Sequence, residues 1–136
     1  MTEQRMTIWE DKNATIWVYP KHCIMHHQLH HFFYGLAFRS ILTASLDAFE
    51  TYNCTKWLSD DRNFGAILPD DKAWGDDVWR PRMLEAGWKF WAMVPPSKVT
   101  GKMNIQKMVE EYMALGVSSA FFTQPEEALD WLLAQI

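Results

Sequence analysis

The chain has 136 residues, of which 49% are hydrophobic and 22% are charged. This composition fits one domain over residues 1–136 with a single sizeable core, and it is too apolar for a disordered chain. The formal net charge of −4 comes with no basic stripe, which argues against binding to nucleic acids.

The sequence carries no targeting signal that we recognise, and cysteine is rare. The N-terminal stretch has no apolar run of signal-peptide length, and no run of about 18 apolar residues that could span a membrane occurs anywhere. We therefore expect a cytoplasmic protein. Cys23 and Cys54 are too few for a disulfide framework, so we expect both thiols to be reduced and buried.

Three strands and a long helix are predicted for the first part of the chain. "MTIWED" and "ATIWVYP" are β-branched and aromatic runs separated by the turn "DKN", and "KHCIMHHQLH" alternates as a third strand. From Phe32 to Asn53 the apolar residues follow the period of a helix instead. The positions at helical spacing are Phe38, Ile41, Leu42, Ser45, Phe49 and Tyr52.

The middle of the chain predicts a strand, a helix interrupted by proline, and another strand. "TKWLSDD" is the fourth strand, and Pro69 suits the first position of the helix that follows. Pro81 should kink this helix or split it in two, and Gly87 is a plausible C-terminal cap. "WKFWAMVPP" is apolar on both faces, which indicates a central fifth strand.

The C-terminal part predicts helix, strand and helix. The third predicted helix of the chain ends at Gly116, and "SSAFFT" is the sixth strand. Thr123 with Glu126 resembles a capping box for the last helix, with Pro125 in its first turn. The residues of this helix expected to face inward are Leu129, Leu132, Leu133 and Ile136.

The predicted order is β-β-β-α-β-α-β-α-β-α. A meander of three strands followed by helical crossovers indicates an α/β fold with a mixed sheet and helices packed on it.

Several phrases of the chain resemble one protein family. They are "WEDKNATI", "HHQLHHFFYGLAFRSIL", "KWLSDDRNFGAILPDDKAWGDDVWRPRMLEAGWKFWAMVPP", "GKMN" and "PEEALDWL". In these phrases and in its element order the chain resembles the small bacterial SpoIIAA-like proteins of the STAS superfamily, in their uncharacterised single-domain subfamily. The resemblance implies a SpoIIAA-like fold, with an architecture related to that of the CRAL-TRIO lipid carriers. Broader relatives act as phosphorylation-switched protein binders.

The phosphorylation switch of those relatives has no matching residue here. In them an Asp-Ser-Ser-Gly-like segment follows a central strand and one hydroxyl accepts phosphate, whereas the matching place in this chain is "DDRN", Asp60 to Asn63. No hydroxyl residue occurs between Ser59 and Ser97, and Ser59 itself should lie within the fourth strand. We therefore expect no phospho-acceptor serine in this segment.

The segment "HHQLHH", residues 26–31, raises the question of a metal site. On a helix, His26 and His30 would sit one turn apart, as in many zinc sites. On a strand they stand roughly 13 Å apart, at about 3.3 Å per residue, which is too far to share one ion. The alternating pattern favours the strand, with His26, Gln28 and His30 on one face and His27 on the other. No carboxylate ligand is evident on neighbouring strands, so we expect structural or pH-responsive histidines and no metal.

The segment "SDDRN" lies at the carboxyl end of a predicted parallel strand, the edge at which open α/β sheets favour ligands. Asp60, Asp61, Arg62 and Asn63 are therefore candidate binding residues, together with His26 and His30. The alternative is purely structural: Asp61 caps a loop, and Arg62 forms a bidentate pair with a nearby carboxylate.

Four tryptophans cluster around the proline-containing helix and the strand after it: Trp74, Trp79, Trp88 and Trp91. Core packing explains most of them. Trp79, beside Arg80 and ahead of Pro81, is the best candidate for a ring on the surface. Trp74 and Trp79 are thus candidates for a partner site or a small-molecule pocket.

No nucleotide-binding loop, serine nucleophile motif or cysteine–histidine dyad is recognisable, and no cofactor is predicted. The leading hypothesis is a non-enzymatic regulatory or protein-interaction domain. The alternative is a small-molecule or lipid-binding domain with an apolar pocket, and an enzyme using Asp60, Asp61 and a histidine comes third. The partner would be an unidentified protein or a small apolar ligand.

The first hairpin suggests self-association. It carries Trp9, Trp17 and Tyr19 on short strands, which could leave an apolar face or edge exposed. Pairing with a second copy would bury it, so a homodimer at micromolar concentration is expected.

Overall fold

The computed structural model describes residues 4–96 and 99–136, and in the first part of the fourth helix it leaves out the side chains of residues 99–102, 104 and 105. Six strands form one sheet in the order β1-β2-β3-β4-β5-β6. The strands are β1 Met6–Glu10, β2 Ala14–Tyr19, β3 Ile24–Leu29, β4 Lys56–Asp60, β5 Phe90–Val94 and β6 Ser118–Phe121. The helices are α1 Leu36–Thr51, α2 Pro69–Trp74, a π-helical turn Gly75–Trp79, α3 Arg80–Glu85, α4 Val99–Met113 and α5 Pro125–Leu133.

The sheet is mixed, as the sequence predicts. β1, β2 and β3 pair antiparallel, and β3, β4, β5 and β6 run parallel. The carboxyl ends of the four parallel strands therefore lie at one edge, where the loops after β3 and β4 meet. β5 lies between β4 and β6, which confirms that it is an interior strand.

Each face of the sheet carries its own hydrophobic core, because side chains alternate along a strand. The first face, which includes Ile16, Met25, Trp57 and Trp91, packs against buried residues of α1, the π turn, α3 and α4. The second face packs against α5, which lies on β4 and β5. Its buried residues are Tyr19, Ile24, Leu58, Ala92 and Val94.

The first helix begins later than the apolar period predicts. It starts at Leu36, directly after Gly35, whose φ of 64° and ψ of −133° are accessible to glycine at little cost. Phe32 lies outside the helix and is exposed, whereas Phe33 is buried in the core of the first face. The chain thus makes a loop between β3 and α1 before the helical pattern takes effect.

Pro81 does not split its helix. The backbone stays in the right-handed helical region through Trp74, Trp79 and Arg80, and the π turn Gly75–Trp79 lies just ahead of the proline. Proline lacks an N–H and its ring crowds the carbonyl four residues earlier, and a wider π turn is one way for a helix to relieve both problems. Gly87 has a φ of 102°, as expected of a C-terminal cap.

The predicted capping box of the last helix is wrong. The N-cap is Gln124, with no side-chain capping bond, and the Thr123 hydroxyl lies 3.1 Å from the side chain of Glu127. Ile136, expected to face inward, is exposed because α5 ends at Leu133, before the helical period reaches it. Leu132 is fully buried as predicted.

Both cysteines are free thiols, but only Cys54 is buried. Burial, with a smaller contribution from Cys23, raises the pKa of the Cys54 thiol to about 12. Cys23 is half-buried because it lies in the turn before β3, with a φ of 58°. Within residues 4–96 and 99–136, no helix has the length and apolar character that crossing a membrane requires.

Candidate functional site

A cavity of about 40 Å³ lies between the first face of the sheet and the helices that cover it. A space of this size holds two or three water-sized groups, since about 10–15 Å³ on this scale holds one. Its lining comes from β3, β4 and β5, from the loop after β4, and from α1, α2, the π turn and α4. The lining includes His27, Trp57, Asp61, Asp71, Lys72, Gly75, Asp76, Trp79, Trp91 and Tyr112.

Large aromatic rings form much of the apolar part of the wall. Trp57 on β4 and Trp91 on β5 are register partners, and their rings stack with centroids 5.3 Å apart. The ring of Trp79, at the end of the π turn, approaches Trp57 to 5.0 Å. Such rings offer a rigid apolar surface to a small planar molecule.

The π turn brings a glycine to the cavity wall. Gly75 has an ordinary helical backbone (φ −59°, ψ −45°), and a Cβ atom added there would meet nothing within 4 Å. A side chain at this position would therefore enter open space without backbone strain. π turns occur often at functional sites.

The carboxyl groups at the wall are all engaged. Asp61 lies 2.8 Å from Nε2 of His27. Asp71 accepts hydrogen bonds from the backbone N–H of Gly35 and from Nε of Arg39. Asp76 accepts one from Nζ of Lys72. These pairs neutralise much of the negative charge around the cavity.

Two polar ring atoms at the cavity remain unpaired. Nδ1 of His27 and Nε1 of Trp57 are buried and have no hydrogen-bond partner among the residues that the structure describes. The two rings meet edge to face with centroids 5.0 Å apart. A carboxylate only accepts, so in a neutral His27 the hydrogen bonded to Asp61 lies on Nε2 and the lone pair lies on Nδ1. In that form the cavity has one unpaired donor, Trp57 Nε1, and one unpaired acceptor, His27 Nδ1.

The ring nitrogens of the three tryptophans that pack against Trp57, namely Trp79, Trp88 and Trp91, have hydrogen-bond partners. Nε1 of Trp79 donates to the carbonyl of Leu42 at 3.1 Å, and Nε1 of Trp91 donates to Oγ of Ser59 at 2.7 Å. Trp57 therefore differs from these neighbours in having a ring N–H without a hydrogen-bond acceptor among the described residues.

Two charged or ionisable groups at the wall have shifted pKa values. Burial is the largest effect on Tyr112 and raises the pKa of its phenol well above the usual value, so the hydroxyl keeps its proton. For Lys72, burial alone would lower the pKa, but the carboxylates of Asp76 and Glu111 raise it overall. Lys72 stays a cation at the rim of the cavity.

Asp61 and Trp79 are the two sequence-predicted candidates that line this cavity. The expectation of Trp79 on the surface is wrong: its ring is 3% exposed because it packs against Trp57 and Trp88. The structural alternative expected Asp61 to cap a loop, and the structure shows its side chain paired with His27. Trp74 is half-buried beside Arg39, whose guanidinium lies 5.9 Å from the ring centroid.

A second group of candidates lies at an open groove on the carboxyl edge of the parallel strands. His30, Arg62 and Asn63 line it, and its volume is about 370 Å³. Arg62 forms the predicted bidentate pair with Asp60, at 2.9 and 2.8 Å, and this pairing raises the pKa of the guanidinium further. Because Asp60 is occupied in this way, the groove offers no free carboxylate from this pair.

His26 lies on the second face and belongs to neither site. The Tyr19 hydroxyl is 3.0 Å from its Nδ1. Burial, with smaller electrostatic contributions from His27, Arg5 and Arg62, lowers the pKa of His26 to about 3. Within the described chain, no three His, Cys, Asp or Glu side chains are grouped so that they could hold a metal ion.

Sequence reasoning missed His27 and Trp57 as site residues. The alternation of β3 places His27 opposite to His26, but the expectation that no neighbouring carboxylate is available is wrong. The register pairs His27 with Ser59, and Asp61 follows two positions later on the same face. Because side chains two positions apart share a face of the sheet, this register could have identified the His27–Asp61 pair once β3 and β4 were known to be neighbours.

The His27–Asp61 pair could serve as the base of a nucleophilic triad, but the described side chains at the cavity wall do not include the serine, threonine or cysteine that such a triad uses. Comparison of the chain with protein-family models, with curated proteins and with solved structures found no match. The geometry of the cavity is therefore the main guide to function.

Proposed function

We propose that this protein is a non-enzymatic binding domain of SpoIIAA-like fold whose sheet–helix cavity holds a small molecule. The observation that carries the proposal is an aromatic-walled cavity with two buried, unpaired polar atoms, His27 Nδ1 and Trp57 Nε1. Ligand sites are mostly apolar concavities with a few placed polar groups, and an unpaired buried polar atom is costly without a ligand or water.

The SpoIIAA-like part of the proposal rests on the element order and on the sequence resemblance. An antiparallel meander leads into four parallel strands joined by helical crossovers, and helices cover both faces. Ser59 is fully buried within β4, where it accepts the hydrogen bond from Trp91. These features support a member of that fold that does not use a phospho-acceptor serine here.

A second candidate function, protein binding, is favoured by one surface. The loop between β3 and α1, with the start of that helix, exposes Phe32, Tyr34 and Leu36. Asp71 connects this loop to the cavity. Its side chain lines the cavity and accepts a hydrogen bond from the backbone N–H of Gly35 in the loop. A regulatory domain could use a bound ligand to bias the loop, because both share Asp71.

The proposal is tested by filling the cavity from Gly75. Wild type, Gly75→Leu and Gly75→Ala are purified gently side by side, denatured, and their small-molecule extracts compared by mass spectrometry. We expect a compound at close to one equivalent from wild type and Gly75→Ala and its loss from Gly75→Leu, since leucine occupies the open space. Equal extracts from wild type and Gly75→Leu would contradict the proposal.

A further inference from the structure

We propose that the cavity recognises a small neutral amide, with the carbonyl oxygen bound by Trp57 Nε1 and the amide N–H bound by His27 Nδ1. The inference rests on the proposed ligand-binding function and adds the chemical class of the ligand. An amide presents one acceptor and one donor, which are the complements of the two unpaired ring atoms, and the two rings lie with centroids 5.0 Å apart.

The hydrogen-bond pattern distinguishes an amide from a simple ketone or a hydrocarbon. With His27 neutral, its proton lies on Nε2 beside Asp61, so Nδ1 needs a donor from the ligand, and the indole N–H of Trp57 needs an acceptor. A ketone satisfies only Trp57, and a hydrocarbon satisfies neither. A site built around buried polar atoms rejects ligands that leave them unpaired.

The charges at the wall disfavour a carboxylate. Asp61, Asp71 and Asp76 all line the cavity, and Lys72 is the one cation among the described side chains of that lining. Arg39 offsets the charge of Asp71, and Lys72 offsets that of Asp76. A carboxylate ligand would therefore place a second uncompensated negative charge beside Asp61, where the two would repel. A neutral amide avoids this repulsion.

The size of the cavity limits how much of a ligand can enter it. At about 40 Å³ it accommodates a head group of a few heavy atoms. Any larger part of the ligand would leave past the half-exposed residues Ile67, Lys72 and Gly75. Acetamide is therefore a suitable probe of the head group alone.

The experiment is an NMR titration of dialysed, ¹⁵N-labelled protein with acetamide, acetone and acetate at neutral pH. We expect acetamide to bind roughly tenfold more tightly than acetone, the effect of one additional buried hydrogen bond. Acetamide should also shift the indole N–H signal of Trp57 downfield. The indole N–H signal of Trp79 is the internal control, because Trp79 lines the same cavity but its N–H is bound to Leu42. Acetate should bind more weakly than acetamide.

Trp57→Phe keeps a ring and removes the donor. This variant should bind acetamide about tenfold more weakly than wild type. It should also lose most of its affinity for acetone, since both molecules accept a hydrogen bond from the same N–H. His27→Gln supplies a second variant and should reduce the advantage of acetamide over acetone. Thermal unfolding of each variant shows whether it is folded before binding is measured.

The outcomes separate the two proposals. If acetone or acetate binds as tightly as acetamide while the cavity signals respond, the amide class is wrong and ligand binding stands. If acetamide binds without a downfield shift of Trp57, the assigned contact is wrong. If none of the three probes perturbs the cavity and the extracts of wild type and Gly75→Leu are also equal, both proposals fail.

Discussion

At the scale of single residues, buried ring nitrogens differ in whether they have a hydrogen-bond partner. In the described part of the chain, unpaired ones occur at the cavity and also away from it, at Trp9 Nε1 and His26 Nε2. Trp79 and Trp91 use their N–H groups within the core, whereas Trp57 and His27 each keep one unpaired atom at the cavity. His26 is a third case: its Nδ1 is bound by Tyr19, and its ring is buried in the neutral form. Of these residues, His26 should control the response to acid.

The first prediction concerns pH. The pKa of His26 is lowered from 6.5 to about 3, so at acidic pH the unfolded chain binds a proton that the folded chain does not. Well above pH 6.5 His26 is neutral in both the folded and the unfolded chain, and its effect on the free energy of unfolding is then most favourable. As the pH falls from 6.5 towards 3, protonation of the unfolded chain lowers the free energy of unfolding. When the pH is lowered from 7 to 5, the titration of His26 should decrease the free energy of unfolding by about 2 kcal/mol.

Urea unfolding at both pH values of wild type, His26→Gln and the control His31→Gln measures this contribution. His26→Gln should lose less stability on acidification than wild type, and the variant at the exposed His31 serves as the matched histidine-to-glutamine control. An equal loss in wild type and His26→Gln would mean that other groups dominate the acid response.

At the scale of helices and turns, two glycines at the cavity and its loop have opposite requirements. Gly35 adopts a backbone conformation with a φ of 64° that side chains disfavour, and it ends the loop held by Asp71. Gly75 has an ordinary helical conformation and faces open space. The backbone alone therefore predicts effects of opposite sign for the same substitution.

Gly35→Ala should destabilise the protein by about 1–3 kcal/mol, because alanine must adopt a strained backbone. Gly75→Ala should stabilise it by about 0.5–1 kcal/mol, because alanine is the better residue within a helix. Chemical unfolding of both variants beside wild type measures the pair. Destabilisation by Gly75→Ala would show that the space beside it is not open.

Local patterns predict the elements, and contacts between distant parts of the chain decide the details that make the site. The alternation of β2 and β3 and the helical period of α1 follow from local side-chain preferences. The π turn has no comparable signal, because Gly75–Trp79 reads as ordinary helix and only Pro81 hints at a disturbance. The pairing of His27 with Asp61 depends on the register of β3 with β4, which the sequence of neither strand specifies alone.

At the scale of the whole molecule, the sheet ends in two edges, β1 and β6. On the hairpin, Tyr19 is buried and Trp17 is half-buried, with the guanidinium of Arg5 3.9 Å above its ring centroid. The hairpin thus exposes less apolar surface than its sequence indicates. Self-association remains a prediction that depends on what is left exposed there.

The predicted homodimer is measured by light scattering across micromolar concentrations. A dimer should give twice the chain mass of 16.0 kDa, and Trp17→Glu should give monomers if the hairpin forms the interface. A dimer that survives Trp17→Glu would place the interface elsewhere. A mass near 16.0 kDa for wild type throughout the range would show that the chain does not pair.

The central claim is that the cavity under α1 and the π turn holds a small molecule. A high-resolution crystal structure of gently purified protein tests it most directly. We predict electron density for a planar, non-water group within hydrogen-bonding distance of His27 Nδ1 and Trp57 Nε1. A cavity that contains only ordered water, or that is closed by the neighbouring side chains, would contradict the claim.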